Sequence, residues 1–202
     1  MSVRTIPRDR TASSLRSRCR RAGTRAVALA LVAWVSTVMT SAQSPNTELL
    51  VTPSALKAAF LFNLAKFADW SGVQPAVTLV LCVAGDDQLG AALADSVRGQ
   101  TIEGHGIEVR RTRRDSPFSA CHLLFVPASD ARQVLAKMGG TQALLTVSDA
   151  PGFAQSGGLI ELFQENGRMR FAVNVDTARR SGVRLSSRLL DLAKIVRTDH
   201  GQ

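Results

Sequence analysis

Apolar and polar residues along the chain follow two different periods, which predicts strands and helices in alternation. Continuous apolar runs with β-branched side chains are typical of strands buried on both faces, and alternating runs are typical of strands with one wetter face. The strands predicted in this way are 77–84, 106–111, 121–127 and 143–149. Asp86 or Asp87 is expected to cap a helix towards Val97, and Ser129 or Asp130 a helix to about Met138. This alternation indicates an α/β domain with a mostly parallel sheet.

The pattern changes after residue 157, where two alternating runs flank Asn166 and Gly167. Asn-Gly between such runs is a strong signal for a two-residue β-hairpin. Asn174 is expected to cap a short helix that ends at Gly182, and a last helix is expected over 186–197. Its predicted apolar face comprises Leu189, Leu190, Leu192, Ala193 and Val196. The predicted fold is a single α/β domain, with a mostly parallel sheet flanked by helices, a C-terminal β-hairpin and terminal helices.

The first predicted helix, with Pro53 in its first turn, continues through LKAAFLFNLAKFADW, residues 56–70. One broad apolar face can pack on the sheet: Leu56, Phe60, Leu61, Leu64, Ala65, Phe67 and Ala68. On the opposite side, the helical period places Phe62, Lys66 and Trp70 one turn apart, with Asn63 beside them. Aromatic rings beside a cation and an amide are typical of protein interfaces and ligand pockets. The alternative is that later segments cover Phe62 and Trp70.

The formal net charge of +9 is concentrated at the N-terminus. Of the 25 basic and 16 acidic side chains, eight arginines and one aspartate lie in the first 25 residues. The rest of the chain therefore carries 17 basic and 15 acidic side chains, a net charge of +2. A nearly neutral body does not indicate a nucleic-acid-binding protein.

The arginine-rich segment is followed by an uncharged apolar run, residues 26–39, and then by the small residues Thr40, Ser41 and Ala42. An export signal consists of a basic region, a short apolar run and small residues at the cleavage site. The run is shorter than the roughly 20 residues that span a membrane. We therefore predict that residues 1–42 are an export signal, cleaved after about Ala42, and that residues 43–52 are a short lead-in. The alternative is an uncleaved N-terminal anchor.

Two cysteines, Cys82 and Cys121, remain once the signal with Cys19 is removed. In an oxidising compartment an even pair tends to form a disulfide. The alternative is two buried free thiols, because cysteine also behaves as a small apolar residue.

The sequence offers little catalytic signal. None of His105, His122 and His200 has zinc-site spacing to another ligand, and no phosphate-binding or nucleophile-elbow motif is present. Cys121 and His122 are adjacent on a predicted strand, so their side chains should point to opposite faces. Asp86 and Asp87 are interpreted as a helix cap, and the basic run 110–114 as a solvated strand end. No catalytic residue, metal ligand or cofactor is predicted, and an enzyme built on Asp86, Asp87 or Asp149 has little support.

Several stretches, in the same order along the chain, resemble the YfiR family: the export signal, LKAAFLFNLAKFADW, LCVAGDD, CHLLFVP, LTVSDAPGFAQSGGLIEL and ENGRMRFAVNVDTARRSGVRLSSRLLDLAKIVR. The resemblance covers the chain from about Thr52 to Arg197. It implies a small periplasmic α/β protein without enzymatic activity, whose YfiR-like domain is 53–198. Cys82 and Cys121 match the family's disulfide-forming cysteines. The better-known member has a second cysteine pair in its C-terminal half, and this chain has none there.

The best-understood family member is a repressor that binds the periplasmic sensor domain of an inner-membrane diguanylate cyclase and lowers cyclic di-GMP. An outer-membrane lipoprotein can sequester it, and family members can form homodimers. The resemblance therefore implies a non-enzymatic periplasmic protein that inhibits such a cyclase, a histidine kinase or another membrane sensor. The candidate contacts are Phe62, Asn63, Lys66, Trp70, Arg188 and Lys194. The alternative is a periplasmic small-molecule-binding protein that acts as a ligand sensor, with the helix aromatics and strand ends lining its pocket.

Overall fold

One eight-stranded sheet organises the part of the chain that the computed structural model describes, residues 52–74, 77–138 and 143–198. These residues all belong to one unit, Leu49–Gln202. The helices are α1 (Pro53–Lys66), α2 (Asp87–Val97), α3 (Ala131–Lys137), α4 (Val175–Ser181) and α5 (Ser187–Leu192). The strands are β1 (Leu79–Ala84), β2 (Thr101–Ile102), β3 (His105–Thr112), β4 (Leu123–Val126), β5 (Leu145–Ser148), β6 (Ile160–Glu165), β7 (Arg168–Asn174) and β8 (Lys194–Val196).

The strands lie in the order β2-β3-β1-β4-β5-β6-β7-β8. From β3 to β6 every neighbouring pair is parallel, while β6 and β7 form an antiparallel hairpin. At the edges, β2 is antiparallel to β3 and β8 is parallel to β7. The predicted α/β fold, with a mostly parallel sheet and a C-terminal hairpin, is confirmed.

The two faces of the sheet carry separate apolar layers, because successive side chains of a strand point to opposite sides. In β1, Leu79, Leu81 and Val83 pack with the buried faces of α1 and α2. The alternate residues of β1, Cys82 among them, pack on the other side with α3 and with Phe118 and Phe153. All six residues of β1 are buried, as expected for a central strand covered on both faces.

The hairpin between β6 and β7 turns at Asn166 and Gly167, as the sequence predicts. Both residues have positive φ, 51° and 72°, which is the conformation of a two-residue type I′ turn. Asparagine and glycine tolerate this left-handed region better than other residues. The turn fixes the register in which Ile160 faces Val173.

Two predicted helix ends are wrong. The last helix does not reach residue 197, because the backbone becomes extended at Ala193 and β8 joins the sheet beside β7. The first helix ends at Lys66 rather than Trp70, because residues 67–69 leave it to pair with residues 184–186. In that pairing Asp69 N–H donates to Arg184 O and Ser186 N–H to Phe67 O, both at 2.9 Å.

Other boundaries also differ from the sequence-based expectations. Cys121 and His122 precede β4 instead of lying within it, and the sequence pattern missed the two short edge strands β2 and β8. The helix α3 ends at Lys137, while the glycines expected to end it, Gly139 and Gly140, lie outside the described residues. The proposed export signal, the lead-in up to Val51 and His200 also lie outside them.

Asn174, which is fully buried, joins three segments through its side chain. Its Nδ2 donates to Ala154 O at 2.6 Å and to Thr198 Oγ1 at 2.7 Å. Its Oδ1 accepts from the backbone N–H groups of Asp176 and Thr177, which caps α4 as predicted.

We expect Asn174→Ala to lower the free energy of unfolding by about 2–4 kcal/mol, because it removes a helix cap and leaves buried partners unpaired. Chemical denaturation measures this change. The control is Asn63→Ala, on an exposed site of α1, which should stay within about 0.5 kcal/mol of the wild type. Equal stabilities for the two variants would contradict the assigned role of Asn174.

Candidate partner-binding surface

The outer side of α1 presents three of the predicted contact residues. Asn63 and Lys66 are exposed. Phe62 is half-buried and packs on the apolar layer between the sheet and the helices α1 and α2. The Lys66 Nζ lies 5.3 Å from the centroid of the Phe62 ring, within the range of a cation–π contact. The helix therefore combines an ammonium group, an amide and part of an aromatic ring on one accessible side.

Trp70 does not belong to this side of the helix. It follows the helix end, is only 5% exposed, and donates its indole N–H to Ala65 O at 2.7 Å. Its backbone N–H donates to Glu103 Oε2 at 3.3 Å. The predicted placement of Trp70 on the polar side is wrong, and the alternative of burial holds for this residue.

Phe67 is the aromatic residue that is accessible at this end of α1. It caps the helix and is 36% exposed, although the helical period assigned it to the buried face. The end of the helix at Lys66 changes the direction in which the following side chains point. A sequence pattern that continues the helix to residue 70 therefore exchanges the roles of Phe67 and Trp70.

A second accessible group lies on α5 and the edge strand β8. Arg188 and Lys194 are exposed, as a binding role requires. Leu192 and Ile195 are also exposed, at 68% and 46%, which is unusual for large aliphatic side chains. Sequence reasoning missed this exposure because it placed Leu192 on the inner face of a longer helix. The neighbouring β-branched residues Ile195 and Val196 were the available signal for a strand.

A short strap, defined here as residues 67–69 and 184–186, connects the two groups. Its backbone hydrogen bonds flank an isolated bridge between Ala68 and Leu185. Arg184 Nε lies 3.0 Å from Asp69 Oδ2. Hydrogen bonds from Ser71 hold the pKa of Asp69 below its usual range, and the Arg184 charge adds to this effect. The strap starts directly after Lys66 and ends directly before α5, so it fixes both groups to one another.

We name the whole assembly the α1–α5 surface; it comprises Phe62, Asn63, Lys66, Phe67, Arg188, Leu192, Lys194 and Ile195. In the part of the chain that the structure describes, no carboxylate forms an ion pair with Lys66, Arg188 or Lys194. The surface therefore offers both exposed apolar side chains and exposed cations to a partner.

The carboxylates that follow the strands serve structural contacts. Asp86 caps α2 through a 2.9 Å bond from Leu89 N–H, as predicted. Asp149 pairs with Lys57 at 2.5 Å and accepts from Ala128 N–H at 2.9 Å. Asp130 does not cap α3 with its side chain and instead pairs with Arg114 at 3.2 Å.

Cys82 and Cys121 form a disulfide, with their Cα atoms 5.8 Å apart. Both residues are buried, so the bridge ties the middle of β1 to the segment that enters β4. The sulfur of Cys121 is consumed in this bond, which leaves no thiol beside His122.

Within the described ranges, no group of three or more histidine, cysteine or acidic side chains could hold a metal ion. No helix there is long and apolar enough to cross a membrane.

Comparison with known proteins identifies one family. A family model described as YfiR/HmsC-like matches residues 54–194. No curated protein matches the chain. Among solved structures, a conserved domain protein from Vibrio cholerae O1 biovar El Tor is similar, with 9% sequence identity and a TM-score of 0.41. That similarity covers 71% of this chain and 60% of the Vibrio chain.

Proposed function

Because this chain belongs to the YfiR/HmsC-like family of periplasmic regulators, we propose that it inhibits a signalling enzyme of the inner membrane. The proposed target is the periplasmic sensor domain of a diguanylate cyclase, so that binding lowers cyclic di-GMP. The protein contributes no catalysis of its own. The observation that carries the proposal is the family match over residues 54–194.

The α1–α5 surface supports the proposal as the contact region. Leu192 and Ile195 supply exposed apolar area, and removing such area from water on binding is favourable. Lys66, Arg188 and Lys194 are exposed cations on α1, α5 and β8 and favour a partner with acidic side chains. Trp70 supports the surface from beneath instead of contacting the partner.

Inhibition requires the protein to distinguish two states of the sensor domain. A ligand that binds both states equally shifts neither, however tightly it binds. The proposed protein therefore binds the inactive arrangement of the sensor more tightly than the active one. A surface fixed by a disulfide-linked sheet and a hydrogen-bonded strap suits this task, because a rigid surface fits one arrangement better than another.

Crosslinking in cells of the native host, followed by mass spectrometry of the captured proteins, tests the function. We expect capture of an inner-membrane protein with a cyclase or kinase domain, with crosslinks from the periplasmic side. The same experiment detects an outer-membrane lipoprotein or a homodimer, both of which are compatible with the proposal. Capture of the protein alone, under conditions in which known complexes are recovered, would contradict it.

A ligand sensor is the second candidate, and a specific groove favours it. The groove measures about 820 Å³ and is lined by Ala128, Ser129, Arg132 and Phe153, among others. It lies where β4 and β5 end, and ligands of parallel sheets bind at the carboxyl ends of strands. A metabolite panel with thermal unfolding tests it, because a ligand at about 100 times its Kd stabilises by roughly 2.7 kcal/mol. No stabilised hit, or a hit unaffected by Arg132→Ala, would contradict this candidate.

A further inference from the structure

His122 is held in one protonation state by its hydrogen bond. Its Nδ1 accepts the backbone N–H of Val80 at 3.0 Å, so the ring must carry its proton on Nε2 and be neutral. A second proton on Nδ1 would place two N–H donors against each other. The bond also lies at the entrance to β1, one residue from the disulfide-linked Cys121.

The His122 ring contacts Trp70, the residue that directly follows the strap segment 67–69. The rings of His122 and Trp70 meet edge to face, with centroids 6.0 Å apart. Trp70 in turn closes the end of α1 through its bond to Ala65 O, and it follows Asp69 of the strap directly. A displacement of His122 would therefore reach Trp70 first and the strap next.

A cleft gives the imidazole ring room to move. It has a volume of about 430 Å³ and is lined by Trp70, Val73, Cys121, His122 and Arg184, among others. The strap forms part of its wall through Asp69 and Arg184. A protonated ring that leaves Val80 can therefore turn towards solvent.

The charged groups around His122 come from several elements. His105 of β3 is buried and bonds through Nδ1 to Val77 O at 2.9 Å. Glu103 accepts from the backbone of Trp70, and Asp69 and Arg184 face the cleft as an ion pair. Burial lowers the pKa of His122 below its usual value near 6.5, and the nearby His105 lowers it further.

We propose that His122 is a pH-sensitive latch on the α1–α5 surface. When its Nδ1 gains a proton, the bond to Val80 breaks, the ring leaves Trp70, and the strap that joins α1 to α5 loosens. The surface is then assembled at neutral pH and loosened in acid. The latch itself does not depend on the proposed function. Its consequence does rest on that function: acidification releases the inhibited partner.

The pH dependence has a definite sign. A histidine with a lowered pKa binds its proton more readily in the unfolded chain, so its contribution to stability is complete above the unfolded pKa. That contribution is lost as the pH falls through the lower pKa of the folded state. Both the latch and its contribution to folding therefore weaken on the acid side of the ordinary histidine range.

Two variants separate the latch from a merely structural role. In His122→Asn, the amide oxygen takes the place of Nδ1 as acceptor for Val80 but cannot be protonated. In the matched control His105→Asn, an amide N–H can still donate to Val77 O, and the influence of His105 that lowers the pKa of His122 is removed. We therefore expect His105→Asn to keep the acid transition and move it to higher pH.

Amide hydrogen exchange on the exported protein measures the latch without any partner. At about pH 5 we expect the amides of Val80, Asp69 and Ser186 to exchange about five- to tenfold faster in the wild type than in His122→Asn. At about pH 7.5 the two proteins should agree within about twofold, since His122 is then neutral. Because the wild type and His122→Asn are compared at the same pH, the pH dependence of intrinsic amide exchange does not affect the ratio of their rates. Trp70 fluorescence gives a second readout, because Trp34, the other tryptophan, lies in the proposed export signal.

The outcomes distinguish the latch from the proposed function. Equal exchange and fluorescence in the wild type and His122→Asn at both pH values would overturn the latch, whatever the protein binds. If the latch is present, retention of the captured inner-membrane partner should fall about fivefold or more in acid for the wild type and persist for His122→Asn. If the wild type and His122→Asn lose the partner to the same extent in acid, the latch does not control binding. A failure to capture any partner at either pH would contradict the proposed function and leave the exchange result unaffected.

Discussion

Replacing Cys82 and Cys121 together by alanine is expected to lower the free energy of unfolding by about 4 kcal/mol. The disulfide closes a loop whose ends are 39 residues apart, and this length sets the entropy that the crosslink removes from the unfolded chain. Both side chains are buried, and Cys82 lies in the layer between the sheet and α3. Denaturant titration under non-reducing conditions measures the loss.

Reduction of the wild type provides the matched control for this prediction. The reduced protein keeps both sulfur atoms in the core, so it should lose a similar amount of stability without the small cavity that alanine leaves. A thiol count on the unfolded protein verifies the state of the bridge. An unchanged denaturation midpoint after complete reduction would show that the bridge does not stabilise the fold.

The combined substitution Lys66→Glu and Leu192→Glu is expected to weaken binding of the sensor domain by about 100-fold. Leu192→Glu removes an exposed apolar anchor, and Lys66→Glu reverses a cation on the neighbouring group. Two acidic groups would then face a partner for which we propose acidic character. In cells, the variant should raise cyclic di-GMP towards the level of a strain that lacks the protein.

The control for this prediction is a double variant with the same change in net charge, placed on α3. Ala136→Glu and Lys137→Glu alter two exposed residues of α3, and we expect full repression to remain. Both double variants should unfold within about 1 kcal/mol of the wild type, because every altered side chain is exposed. Full repression by the folded Lys66→Glu and Leu192→Glu variant would exclude the α1–α5 surface as the contact region.

The central sheet and the hairpin were predictable because local patterns determine them. The apolar run around Cys82 needs cover on both faces, and Asn166 with Gly167 supplies the positive φ angles of a tight turn. The cap at Asn174 was equally local, since its side chain bonds to residues two and three positions ahead. Such signals require no knowledge of distant segments.

The candidate surface was only partly predictable, because long-range pairing defines it. The end of α1 depends on bonds to Arg184 and Ser186, more than a hundred residues away in the sequence. That pairing buries Trp70 and exposes Phe67, the reverse of the helical pattern. In the same way, the pairing of β8 with β7 ends α5 and exposes Leu192. Periodicity describes one segment at a time and does not contain these contacts.

A reconstituted enzyme assay measures whether the protein inhibits its partner directly. The captured inner-membrane protein is purified in a membrane-like environment, and its cyclase or kinase activity is measured while the exported protein is added. We expect a saturable loss of activity, with about 100-fold more of the Lys66→Glu and Leu192→Glu variant required for the same effect. Binding of the wild type that leaves the enzymatic activity unchanged would show that the protein does not inhibit this partner.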